Sequence, residues 1–196
     1  QTRVLVQFDL NESGNSISQS IVDGKITNPS FYLRMYEAEG TQELSTQYTL
    51  AALPISQSWD EGTGKFGDEP KVTNGSSWEN STNYRGGTAV TWSKADGTQA
   101  HGTATHSVSS SEQSFSYESP DIEMDITDMV KGWLSGSQPG GFDNHGILLR
   151  LSGSQEHTAS VDGTYTTANL KFFSKNTHTI YPPKLEVRWD SHATVS

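Results

Sequence analysis

The chain has no cysteine, which excludes disulfides and thiolate metal sites but says little about compartment, since many cytosolic and many secreted bacterial or viral proteins also lack it. Positive charge is scarce. Against 23 Asp and Glu stand 13 Lys and Arg, for a formal charge of -10, and no basic patch is visible. The footprint of a nucleic-acid binder is therefore missing, and attraction to an anionic membrane surface is disfavoured. No apolar run approaches the roughly 18 residues needed to span a bilayer, so no membrane insertion is expected. No secretory signal is visible either. Gln1 already lies inside a strand-like run, and the expectation is that an N-terminal strand or segment is missing upstream. No period of roughly 20 to 50 residues recurs, which argues against a solenoid or propeller.

The sequence does hold 196 residues, 18 glycines, much Ser and Thr, and five Trp, seven Tyr and seven Phe. That many large apolar side chains argue against disorder, and the length suits one well-filled core. Hydroxyl-rich surfaces with glycine turns fit a sandwich better than a helical bundle, so one domain over residues 1–196 is expected.

Alternation marks the strands. Val4, Val6, Phe8 and Leu10 alternate with Arg3, Leu5, Gln7 and Asp9; Phe31, Leu33 and Met35 alternate with Tyr32, Arg34 and Tyr36. Tyr48 to Ile55 follows, with Pro54 near its end, where a missing amide is tolerated. Ile17, Ile21 and Val22 have helical spacing and stop at Asp23-Gly24, as a short helix or turn over a sheet edge. Val90 and Trp92 open a hairpin with a two-residue Asp96-Gly97 turn and a return arm from Gln99 to Thr105. Ser107 to Gln113 reads as a serine-rich loop, and Phe115 with Tyr117 as a short strand. Gly146 to Leu151, the most apolar run, is expected at the centre of a sheet. A second hairpin at Asp162-Gly163 returns through Leu170 to Phe173, and Lys184 to Asp190 places Leu185, Val187 and Trp189 on one face. About nine strands with hairpins and long crossings predict an all-β, antiparallel jelly-roll or Greek-key sandwich.

One stretch breaks the pattern. Ile122, Met124 and Ile126 alternate with acidic residues, whereas Ile126, Met129, Val130 and Trp133 recur as a helical face. The spacing predicts one short helix over about residues 126–135, capped by Asp125 with Asp128 in the capping-box position, and stopped at Gly136. Trp92, Trp133 and Trp189 are expected in the core.

Between Ser56 and Thr88 the chain makes a long irregular excursion of the kind that is often functional. Asp60, Glu61, Asp68 and Glu69 could offer oxygens to calcium, with glycines letting the backbone fold round the ion. Their spacing matches no EF-hand, which favours a solvated acidic loop with Trp59 plugging the core. Trp78, Tyr84 and Tyr181 could stack on sugar rings, or pack the loop on the sheet. The six histidines, at positions 101, 106, 145, 157, 178 and 192, lack zinc spacings, and no Gly-x-Ser-x-Gly elbow is present. No catalytic residue is assigned, and no cofactor is expected beyond that calcium. Asn11, Asn74 and Asn80 fit the glycosylation tripeptide, as chance allows in so hydroxyl-rich a chain.

Several landmarks occur in order: Val4-Leu5-Val6-Gln7-Phe8-Asp9-Leu10, Ser58-Trp59-Asp60-Glu61, Asp125-Ile126-Thr127 with Val130 and Trp133, Gly146-Ile147-Leu148-Leu149, Phe172-Phe173-Ser174, and Pro182-Pro183-Lys184-Leu185-Glu186-Val187. The succession resembles the DNRLRE-type, or disaggregatase-related, β-sandwich domain of microbial surface and polysaccharide-associated proteins, from Arg3 to Asp190. The runs from Thr2 to Leu10, Pro54 to Asp60, Gly75 to Trp78, and Phe172 through Ile180-Tyr181-Pro182-Pro183 to Trp189 are similar to versions in virion structural proteins of tailed phages of cyanobacteria and marine bacteria. The resemblance implies a non-enzymatic virion component, in capsid decoration, tail or baseplate, with other virion proteins as partners in symmetric copies. The alternative is a carbohydrate-binding module or adhesin domain of an extracellular or cell-surface protein, with surface glycans as ligands. Members of the family normally carry one or two further strands before the segment matching Arg3.

Overall fold

The computed structural model describes residues 3–10, 17–40, 48–65, 67–83, 88–107, 110–115, 121–156 and 170–190. In chain order these contain β1 (Val4–Val6), α1 (Ile17–Val22), β2 (Thr27–Met35), β3 (Glu37–Gly40), β4 (Tyr48–Pro54), β5 (Asn80–Thr82), β6 (Val90–Thr91), β7 (Ser111–Phe115), β8 (Ile122–Asp125), α2 (Thr127–Ser135), β9 (Ile147–Leu151), a 3-10 turn (Gly153–Glu156), β10 (Leu170–Phe172) and β11 (Lys184–Asp190). The chain is all-β with antiparallel sheets, and of the short helix or turn expected at Ile17 to Val22 the helix forms, as α1.

Two sheets face each other. One has the order β1-β9-β4-β7, the other β11-β2-β8, and β10 pairs with β3 beside the second. Phe31, Leu33 and Met35 of β2 and Ile122 and Met124 of β8 pack against Tyr48, Leu50 and Ala52 of β4, Phe115 of β7, and Ile147 and Leu149 of β9. The period of two thus puts one face of each strand into a shared core. On the other face of β2, Arg34 pairs with Glu123 and Glu186, and Arg188 reaches Glu123 at 2.5 Å and Glu186 at 2.6 Å. That solvated ladder crosses all three strands of the sheet.

Trp59 of the excursion and the hairpin segment carrying Trp92, Ala100 and Ala104 form a third layer. Trp92, Ile55, Ala100, Ala104 and Leu148 make a second buried cluster with Leu5, Leu53 and Trp59 against it. Leu148 turns to this cluster while Ile147 and Leu149 turn to the first, so β9 is buried on both faces and lies centrally, as its continuous apolar run requires. Trp92 is fully buried and donates from Nε1 to Ser77 O at 2.9 Å, which fixes the loop's depth.

At the β8–α2 corner the ladder is handed over to side chains. Ile126 N donates to Phe31 O at 2.9 Å, and Phe31 N donates to Thr127 Oγ1 at 2.9 Å, a hydroxyl standing where the next strand carbonyl would be. Asp125 Oδ1 accepts from Thr127 N at 2.9 Å. The N-cap position is Ile126 and has no side-chain cap, so Asp125 serves from one residue further out than the sequence suggested. Met129, Val130 and Trp133 are buried, and Gly136, with φ 53, ends the helix by donating to Gly132 O and Trp133 O. Burying three such side chains at about 1.5–3 kcal/mol each outweighs the poor intrinsic stability of nine residues of helix.

Other expectations need correction. Trp189 is 44% exposed because β11 is an outer strand of its sheet, so it is not a core residue. Val22 of α1 is 77% exposed while Ile17 and Ile21 pack on the core. Ser111 to Gln113 belong to β7, where β4 supplies the ladder that serine-rich composition hides. The loop at Asp96-Gly97 is longer than two residues. Lys94 N donates to Thr98 O and Gly97 N to Lys94 O, leaving Ala95, Asp96 and Gly97 in the turn, with Gly97 at φ 80. β3 and β5 had no sequence signal. Asp162-Gly163, Tyr117 and Tyr84 lie outside the described residues.

Candidate functional site

β1 sits at the edge of its sheet. It pairs antiparallel with β9, Val4 opposite Leu149, Leu5 opposite Leu148 and Val6 opposite Ile147, and no other described strand pairs with it. Its inner edge is held firmly. Gly146, at φ 88, approaches Val6 O so closely that a Cβ there would overlap that oxygen. Asn144 Nδ2 donates to Phe8 O at 2.8 Å, and Gln7 Nε2 donates to Asn144 O at 2.8 Å. At the start of the strand Arg3 donates from Nε to Glu156 at 2.6 Å and also bonds Gly102 O, while Glu156 pairs with Arg150.

Along the outer side of β1, from Arg3 to Leu10, runs a groove of about 1280 Å³. Its far wall comes from the second sheet's side, with Met35, Phe172 and Leu185 among the lining residues. The groove is the open seam of the sandwich, where one sheet ends in an edge that no other described strand pairs with. Such an edge presents free backbone donors and acceptors above an apolar floor.

Next to the groove, whose lining includes Phe173 and Lys184, lies an aromatic patch. Tyr181 lies 5.0 Å from Tyr36, centroid to centroid, and 5.8 Å from Phe173, with which it is stacked. Tyr36 is on the outward face of β2's alternation, and Phe173 N donates to Tyr36 O at 3.0 Å, which brings the segment after β10 alongside. Lys184 Nζ stands 5.7 Å from the Tyr36 centroid, and Arg34 Cζ 5.9 Å. Tyr181 is 42% exposed, and Ile180 beside it 74%.

No protein-family model, no curated protein and no solved structure matches the chain.

Of the residues expected to bind sugar, Trp78 and Tyr181 have different neighbours. Trp78 lies under Arg3, whose Cζ is 4.4 Å from its ring centroid, so it packs the loop onto the edge of the sheet. Tyr84 lies outside the described residues, and Tyr181 belongs to the patch just described. Tyr36 and Phe173 went unnoticed as site residues. Two signals pointed to them: Tyr36 alternates with buried Met35, and consecutive Phe172 and Phe173 cannot both face one core.

The acidic loop does not converge either. Glu61 pairs with Lys175, and Asp68 Oδ2 accepts from Lys65 N at 2.7 Å. Asp60 is held by its backbone, N to Ser81 O and O from Ser76 N, and its Oδ2 is buried without a partner in the structure. Glu69 is exposed. Among the described residues no three His, Asp or Glu side chains are grouped to hold a metal ion. Trp59 does pack on the second cluster, donating from Nε1 to His145 O at 2.8 Å. Asn74 is engaged with Thr63 through both side-chain ends.

Burial shifts proton affinity at two places in the described structure. Burial, and secondarily the charge of Asp121, pushes the Glu37 carboxyl up; burial, and secondarily Glu37, pushes Tyr48 up to about 12. His106, packed 4.4 Å from the Phe142 ring, is lowered by burial and then by His145, with Asp143 opposing. Neither cluster faces the groove. Among the described residues no helix is long and apolar enough to cross a membrane.

Proposed function

We propose that this chain is a non-enzymatic structural component of a tailed-phage virion. It is a jelly-roll sandwich that decorates the capsid or forms part of the tail or baseplate, in multiple symmetric copies. The observation that carries the reading is the open edge of β1 above its groove of about 1280 Å³. An extended segment of a neighbouring virion protein would pair with β1 through main-chain hydrogen bonds and seat alternate side chains on the groove floor. The resemblance to tailed-phage versions of the DNRLRE-type domain supports the setting, and the formal charge of -10 supports solubility of a densely packed surface protein.

A second reading is favoured by the patch of Tyr36, Phe173 and Tyr181: a carbohydrate-binding module or adhesin domain at a microbial cell surface. The two part at β1. Val4→Lys places a charge at the open edge, where lysine is a common guard against strand pairing. The variant is expected to fold with stability within about 0.5 kcal/mol of the parent, as surface changes do, yet to be missing from purified particles. Incorporation at the parent level would overturn the virion reading.

A further inference from the structure

The patch of Tyr36, Phe173 and Tyr181 beside the groove has the chemistry of a binding site in its own right, independent of strand pairing at β1. We infer that Tyr36, Phe173, Tyr181 and Lys184 form a site for a pyranose carrying a carboxylate, a hexuronic acid within an acidic polysaccharide. An exposed aromatic ring held between two others at a surface is costly to leave in water unless something covers it. Here the ring at the outside, Tyr181, keeps 42% of its surface exposed. Phe173 backs it at 5.8 Å and Tyr36 braces it at 5.0 Å, so the ring is held rather than free to collapse.

The setting is stiff. Pro182 and Pro183 follow Tyr181 with fixed φ, and Tyr181 N donates to Thr179 Oγ1 at 3.2 Å. A held aromatic ring with a wet face suits the apolar C–H face of a sugar, whose hydroxyls remain in water; a protein partner would be better served by a flat apolar surface.

The charge of the ligand follows from Lys184. Its ammonium lies 5.7 Å from the Tyr36 centroid, and no described carboxylate pairs with it. The neighbouring Arg34 and Arg188 are both committed to Glu123 and Glu186. In a chain with formal charge -10, a cation without a carboxylate partner, set beside an exposed aromatic cluster, is the group that an acidic sugar would meet. A neutral sugar would use the rings and leave Lys184 idle.

The test uses trigalacturonate and its methyl ester, which has the same ring without the charge, titrated into the whole chain at neutral pH and read by calorimetry and by amide shifts. Trigalacturonate is expected to bind at least about ten-fold more tightly than the ester. Lys184→Gln should erase that difference while keeping the weaker ester affinity. Tyr181→Ala should weaken both ligands by at least about ten-fold. Tyr181→Leu, which keeps the bulk over Phe173, guards against a folding defect and should weaken both likewise. The proposal is overturned if trigalacturonate fails to bind at millimolar concentration, if acid and ester bind equally, or if folded Tyr181 variants bind as the parent does. It is also overturned if those variants change only association between protein molecules. Val4→Lys should leave sugar binding unchanged, so this result and the one at β1 stand or fall separately.

Discussion

The guanidinium of Arg3 lies over the Trp78 ring, 4.4 Å from its centroid, and joins the open edge of the sandwich to the loop that covers its outer face. The same guanidinium bonds Gly102 O and Glu156, so three distant segments meet at one side chain. Gly102, at φ 77, leaves room for it, since a Cβ there would strike both Arg3 and Trp78. Trp78 is thus a structural partner of β1.

Arg3→Ala should lower unfolding free energy by about 2 kcal/mol, the loss of charge-assisted hydrogen bonds at a half-buried carboxylate. Trp78→Ala should be non-additive with it, with a coupling of about 0.5–1 kcal/mol in a double-mutant cycle followed by denaturant titration. Additive losses would mean that the stacked geometry contributes nothing.

Gly146→Ala tests how β1 is attached. The residue is in left-handed backbone and its missing side chain is what lets Val6 O approach. The strain alone should cost about 1–3 kcal/mol, and the damage should be local. Hydrogen exchange is expected to quicken at Leu5 and Val6 before it does at Leu50 or Leu149. Uniform loss of protection would show that β1 does not open as a separate unit.

At the strand-to-helix corner, Thr127→Val keeps the shape and removes the acceptor of Phe31 N. A buried amide left unpaired should cost about 1–3 kcal/mol. Asp125→Ala, which frees only the exposed Thr127 N, should cost about 0.5–2 kcal/mol and less than the threonine change. Thermal melts of the two variants rank them, and the reverse order would contradict the handover described for this corner.

Protonation acts in opposite senses at Glu37 and His106. Glu37 has its folded affinity for a proton raised, so the folded state holds more protons than the unfolded one just above the ordinary carboxylate value of 4.5. Its contribution to stability is lost as pH rises through that window. Glu37→Gln should therefore raise the denaturation midpoint at pH 7 and lose that advantage below about pH 4. His106 is lowered, so the unfolded state holds the extra proton just below 6.5, and stability falls as pH drops through that range. His106→Gln should flatten the fall between about pH 6.5 and 5 while leaving the Glu37 effect in place.

Much of the fold was legible because period two and a long apolar run survive in the sequence. Phe31, Leu33 and Met35 alternate cleanly, and Gly146 to Leu151, the most apolar run, is expected at the centre of a sheet. What covers β9 was not legible. The covering layer is held by Trp92, Ala100 and Ala104, scattered through a segment whose order comes from tertiary contact rather than local pattern. Trp189 misled because its alternation with Leu185 and Val187 says nothing of how far the facing sheet extends. The same limit applies to the site. Tyr181 could be picked out as an aromatic in a loop, but Tyr36 and Lys184 join it only through the pairing of β2 with β11, a long-range register. The pairing of Arg3 with Trp78 is of the same kind, and it ties Trp78 to the start of β1.

The central claim is that β1 completes its sheet with a strand from a neighbour. Density for this protein within an intact tailed-phage particle tests it most directly. An extended segment from another virion protein should lie along β1 from Arg3 to Leu10, at the strand spacing of about 4.8 Å, with side chains directed toward Phe172 and Leu185. Copies whose β1 edge faces solvent throughout, or particles that lack the protein altogether, would contradict the claim.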